Sequence, residues 1–121
     1  MASRSLIVKV TAGKDDSERC NQAFTVAATG VASGLNVSLW LTGEAAWFAL
    51  PDRAGDVALP HSTPLSQLLA KVLDEGTVTV CSQCASRRNI EPEDTIKGIR
   101  IAGSSTFLAE VMADGAQALV Y

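Results

Sequence analysis

Apolar residues recur along this 121-residue chain in two rhythms. Short runs rich in valine, isoleucine and leucine occupy residues 6–11, 35–41, 77–81, 99–102 and 116–121, and read as strands. Between them the apolar spacing lengthens to three and four residues, the period of a helix with one buried stripe. Cys20, Ala23, Phe24, Ala27, Ala28, Val31 and Ala32 form the first such stripe, and Leu65, Leu68, Leu69, Val72 and Leu73 the second. A last stripe sets Phe107, Leu108, Val111 and Met112 on one side of a helix that Gly115 ends. The small residues of the first stripe let that helix approach a sheet closely.

The polar positions between these runs predict boundaries. Asp15, with Glu18 three residues on, fits a capping box, and Gly34 fits the stop of the same helix. Thr63 and Pro64 predict the second helix start, a hydroxyl cap followed by proline in the first turn, and Gly76 ends it. Residues 82–88 predict a short helix, and Pro92-Glu93-Asp94 a further helical turn. Residues 44–50 form a short helical or irregular apolar piece ended by Pro51. Its Trp47, Phe48 and Leu50 are too apolar for a free surface, so they are core or a subunit contact. Residues 51–62 hold two prolines, a glycine and three charged residues, and read as the longest loop.

Strands separated by helices imply βαβ units. The expected fold is α/β, a three-layer α/β/α sandwich with a five-stranded, mainly parallel sheet. The length suits a single domain over residues 1–121.

Composition narrows the partners. The formal charge is −3 and no basic run is interleaved with aromatics, so nucleic acid is not expected. Nor is an anionic membrane surface. Residues 1–10 hold an apolar run too short for a signal-peptide core and broken by Lys9, which reads as a strand. No apolar run approaches the ~20 residues needed to span a bilayer. The expectation is a soluble, cytoplasmic protein. Three cysteines, an odd number, then argue against a disulfide scaffold and for thiol chemistry, metal binding or burial.

Sites in open parallel sheets form beyond the carboxyl ends of the strands. The loops at 12–16, 42–44, 82–88 and 103–105 and the chain end qualify, and only the one that follows Cys81 carries a thiol. Cys81 closes the third strand beside a helix start, where unpaired N–H groups favour an anion and lower a thiol's pKa. Thiolate is the form that attacks as a nucleophile or carries a sulfane sulfur. Ser82 at the helix start, Arg87 and Arg88 are the candidate anion stabilisers, the arginines acting if the short helix folds them back. Cys84 follows at CxxC spacing, which on a helix places both thiols on one face for exchange or a disulfide.

Other readings of these residues stand beside that one. Cys81 also fits a small hydrophobe ending a buried strand. CxxC is half of a zinc site, but Cys20 belongs to the first helix and His61 to a distant loop, so no metal is expected, nor any other cofactor. A thioredoxin arrangement fits poorly, because its motif follows an early strand of a fold that later adds an antiparallel hairpin. Gly13-Lys14 resembles the end of a phosphate loop without its full spacing, and a plain turn describes it better. His61, the one histidine, suits a surface position better than a general base, and Glu44 suits a helix start. No GxSxG motif or Ser/His/Asp order supports a hydrolase.

The opening strand-turn-helix, Thr42-Gly43, the run Pro64-Leu65-Ser66-Gln67-Leu68-Leu69 and above all Val80-Cys81-Ser82-Gln83-Cys84-Ala85-Ser86-Arg87-Arg88-Asn89-Ile90 resemble the DsrE/DsrF-like family, end to end. This family includes small sulfur-relay proteins. The resemblance implies a persulfide carrier at the end of the third strand, matched by Cys81, with Cys84 as accessory thiol. It also implies trimers or hexamers, sulfur donor and acceptor proteins as partners, and a carrier of sulfurtransferase-like kind. The family's usual glycine after the two arginines is Asn89 here, and asparagine tolerates the left-handed backbone that turn requires. A redox-active dithiol and a non-catalytic oligomeric binding module remain the alternatives.

Overall fold

In the computed structural model, which describes residues 4–121, five strands form one sheet in the order β4-β3-β2-β1-β5. These are β1 (Ser5–Val10), β2 (Asn36–Leu41), β3 (Thr77–Cys81), β4 (Arg100–Ala102) and β5 (Ala116–Val120). Every neighbouring pair is parallel, so the sheet is wholly and not just mainly so. Of the opening stretch read as a strand, residues 1–3 lie outside the described residues.

Connection handedness decides where the helices go. From β1 to β4 the sheet grows in one direction, and α1 (Ser17–Ala32) and α2 (Leu65–Glu75) cross over one face. The chain then returns past three strands to set β5 beside β1. A right-handed crossover in that opposite direction must lie on the other face, and α4 (Ser104–Val111) lies there. A short helix, α3 (Ser82–Arg87), sits at the carboxyl edge.

Strand alternation follows this division. Val8 and Val10, Val37, Leu39 and Leu41, and Val78 and Val80 pack with the apolar stripes of α1 and α2 in one core. Each fully buried Phe, Leu or Val side chain there contributes about 1.5–3 kcal/mol. The close approach expected of the small α1 residues is realised at Gly30, where an added Cβ would lie 2.9 Å from Val37 Cγ2. Residues 43–49 form a 3-10 helix, and Phe48 is core, edge-on to Phe24 at 6.0 Å.

Two predicted caps take another form. The capping box of Asp15 and Glu18 is replaced by Asp16, whose carboxylate accepts from Arg19 N–H at 3.2 Å, while Asp15 accepts from Gly13 N–H at 2.8 Å. The chain makes an extra 3-10 turn over Lys14–Asp16, which moves the cap one residue on. Thr63 makes no cap bond either. Pro64, extended at ψ 137°, is itself the cap residue, and α2 starts after it.

The last helix departs furthest from its pattern. Phe107 packs edge-to-face on Trp40 at 5.3 Å, but Leu108 is 59% and Met112 74% exposed. Polar bonds anchor the helix instead. Glu110 accepts from Ser38 Oγ at 2.5 Å, Trp40 Nε1 at 3.0 Å and Arg100 Nη2 at 2.5 Å, and Arg100 Nε donates to Thr79 Oγ1 at 2.8 Å.

Burial pushes the Glu110 carboxyl up, but the Ser38, Arg100 and Trp40 donors outweigh it and hold it below its ordinary 4.5. A carboxylate depressed in the folded state stabilises above its unfolded pKa and loses that contribution as pH falls through the folded value. Melting temperature should therefore fall on acidification below about pH 4.5 more steeply for the natural chain than for Glu110→Gln. At neutral pH that variant should lose about 1–2 kcal/mol, the lower part of the range for a charged hydrogen bond because Arg100 is partly solvated. Equal acid slopes in thermal melts would count against this anchor.

Candidate thiol site

Cys81 is the last residue of β3 and the first boundary residue of α3, extended at φ −61° and ψ 128°. It pairs in register with Ala102, two residues beyond the Thr79–Arg100 pair, so its side chain leaves the sheet on the α4 side. It is half-buried and lines a cavity of about 60 Å³ together with Lys9, Trp40, Thr42, Gln83, Ser104 and Phe107. Larger clefts of about 230 Å³ beside Arg100 and Glu110, and about 430 Å³ beside Leu69 and Ile96, contain no thiol.

Burial raises the Cys81 thiol's pKa, yet the net shift is downward from 9.0. The backbone N–H and the thiol of Cys84, the backbone N–H of Gln83 and the charge of Lys9 together outweigh burial. These donors stand at the start of α3. The cation does not come from where it was expected. Arg88 donates from Nε and Nη2 to Glu44 Oε2 at 3.1 and 2.8 Å, and from Nη1 to the Cys84 carbonyl at 3.1 Å. Its guanidinium is spent on fastening α3 to the 3-10 segment Gly43–Ala49. Arg87 is exposed at the end of α3, and Ser82 Oγ lies 3.2 Å from where a Cβ on Gly103 would stand.

Lys9 is the cation that contributes, as the weakest of the four influences that lower the thiol's pKa. Its Nζ sits 5.1 Å from the centre of the Phe107 ring, in the cavity wall. In the sequence it stood only as the break in an apolar run. Only the strand order gives it meaning: β1 is flanked by β2 and β5, and a lysine on a strand paired on both sides needs an anionic or aromatic partner.

Cys84 is buried, and its Sγ accepts from the Gly43 backbone N–H at 3.3 Å. Gly43 has φ +54°, and a Cβ there would stand 2.5 Å from the Thr11 carbonyl oxygen. Only glycine gives this turn both its backbone and its space. Asn89 takes φ +55°, the left-handed turn expected of it. Glu44 opens the 3-10 segment but serves mainly as the partner of Arg88.

The remaining candidates lie elsewhere. Cys20 is fully buried in α1, and burial, then Asp15 and Asp16, push its pKa up to about 12. His61 is exposed in the loop after the 3-10 segment and does not line the cavity. Gly13-Lys14 is a plain turn packed on Glu44. Among the described residues no three His, Cys, Asp or Glu side chains are grouped to hold a metal ion, and no helix is long and apolar enough to cross a membrane.

A family model described as DsrE/DsrF-like family matches residues 4–121. Among solved structures, the chain is similar to the ychN protein from E. coli, with 19% identity, a TM-score of 0.77, and 99% of this chain and 100% of that one covered. It is also similar to protein MTH1491 from Methanobacterium thermoautotrophicum, with 10% identity and TM-score 0.71 over 99% and 100% of the two chains. Protein BT1422 from Bacteroides thetaiotaomicron follows at 18% identity and TM-score 0.59 over 97% and 94%. At these identities the likeness is one of fold. No curated protein matches the chain.

The three thiols should separate in native alkylation. Cys81 should react first, with a pH midpoint below 9.0, Cys84 slowly, and Cys20 only on unfolding. Peptide mapping after a timed iodoacetamide pulse reads the order, and early labelling of Cys20 would contradict it.

Proposed function

From the premise that the chain belongs to the DsrE/DsrF-like family, we propose that it carries sulfane sulfur on Cys81. The observation that carries the reading is a half-buried thiol of lowered pKa in a small cavity at the carboxyl edge of a parallel sheet. The Cys81 thiolate attacks the outer sulfur of a donor persulfide, R–S–SH. The donor S–S bond breaks, R–SH leaves with the proton, and Cys81–S–S⁻ remains. An acceptor thiolate takes the same outer sulfur in turn. Donor and acceptor are protein thiols, and the carrier is sulfurtransferase-like.

Cys84 serves as the accessory. It lies three residues beyond Cys81 on α3, and its own surface is nearly closed. It ends the carrier state by attacking the Cys81 sulfur of the persulfide, giving a Cys81–Cys84 disulfide and hydrosulfide. The same adjacency favours a second reading, a redox-active dithiol that cycles without sulfane sulfur. In both readings the chain works in the cytoplasm, where thiols stay reduced. It assembles as a homotrimer or hexamer, which the exposure of Leu108, Met112 and Val120 supports.

Incubation with a persulfide donor followed by intact-protein mass spectrometry should show a gain of one sulfur. Cys81→Ser should abolish it, and Cys84→Ser should keep it and prolong it several-fold. A gain that survives Cys81→Ser overturns the carrier. A Cys81–Cys84 disulfide formed under mild oxidants with no sulfur gain selects the redox dithiol.

A further inference from the structure

Lys9 and Cys81 stand on β1 and β3, with β2 between them, about 10 Å apart by strand spacing. Lys9 pairs with Trp40 and Trp40 with Thr79, so the lysine shares the α4 face with Cys81, one pleat short of it. Side chains from both strands line the same cavity, and the lysine ammonium is steadied over Phe107 at 5.1 Å.

We propose that Lys9 is the positioning cation of this site, the counter-ion of the Cys81 thiolate and of the persulfide anion made from it, and so selects anionic sulfur species. This inference rests on the carrier reading for its second half only. Donor transfer begins with one negative charge on Cys81 and ends with one negative charge one sulfur further out. A fixed cation in the cavity wall therefore serves reactant and product alike. A cavity of about 60 Å³ has room for roughly two water-sized groups, enough for the outer sulfur and little more.

The other charged groups around Cys81 are already partnered. Arg100, from β4, is bound to Glu110 and Thr79, and Glu110, from α4, to Arg100, Ser38 and Trp40. Glu44, from the 3-10 segment, holds Arg88 of the α3 end. The neighbouring thiol, Cys84 on α3, accepts from the Gly43 N–H. Trp40 and Thr42 from β2, and Ser104 and Phe107 from α4, carry no charge. Arg87, at the far end of α3, is exposed and does not line the cavity, so Lys9 is the cation in the cavity wall left to answer an anion on Cys81, and the downward shift of the thiol agrees with that placement.

The test measures Cys81 alkylation against pH with neutral iodoacetamide and anionic iodoacetate, in the natural chain, Lys9→Met and Lys9→Arg. Lys9→Met should raise the midpoint by about half a unit to one unit. It should also lower the iodoacetate-to-iodoacetamide rate ratio at least threefold, and Lys9→Arg should restore both. Phe107→Leu leaves β1 intact and serves if Lys9→Met does not fold; by freeing the ammonium it should move both readouts the same way. An unchanged midpoint and ratio in the folded variants overturn the proposal. Alkylation needs no persulfide, so a Lys9-dependent profile without any sulfur gain would remove the carrier reading and keep the counter-ion. Where sulfur is gained, Lys9→Met should reduce the yield at pH 7 several-fold, and an undiminished yield would overturn the persulfide half of the proposal.

Discussion

The handedness of parallel crossovers is the constraint from which the rest of this structure follows. Because β5 joins the sheet beside β1, its connection must pass over the face that α1 and α2 leave open. Eight residues of helix then cover that face alone. An apolar layer cannot close there, so the inward positions of β1 to β4 on that side include Lys9, Ser38, Thr79 and Arg100, residues that the opposite face never admits. The thiol site exists because this layer is thin.

Within it, two groups show how local donors outweigh desolvation. Cys81 and Glu110 are both partly buried, and burial alone would raise each pKa. Both shift down, since each anion is met by hydrogen-bond donors and a cation. Cys20 is the internal control: burial acts with two nearby aspartates and no donor, and the shift is upward. Three acids in one domain thus differ by surroundings and not by depth alone.

Much of this was legible in the chain. The strand and helix order, the core stripes of α1 and α2 and the position of Cys81 follow from periodicity, and the turn at Asn89 from the family resemblance. What was not legible depends on contacts across the sheet. Arg88 lies in the sequence beside the thiols, yet Glu44, 44 residues away, takes its guanidinium. Lys9, 72 residues before Cys81, reaches the cavity only because β1 and β3 flank β2. The exposed Leu108 and Met112 belong to a stripe that would be core on a longer or better-covered helix. Caps shifted by a residue because a 3-10 turn and a proline consumed the expected positions.

The cavity has a floor and a roof that are fastened separately. The floor is strand, and Cys84 on Gly43 with Arg88 on Glu44 ties the adjoining α3 to the 43–49 segment. The roof, Ser104 and Phe107, belongs to α4, held to the sheet by the Glu110 carboxylate one turn beyond the ring. Clearance above the sulfur is therefore governed by a polar latch on a helix with little apolar adhesion, while the thiol's own geometry is governed from below. Reactivity and access, which share one space, answer to different bonds.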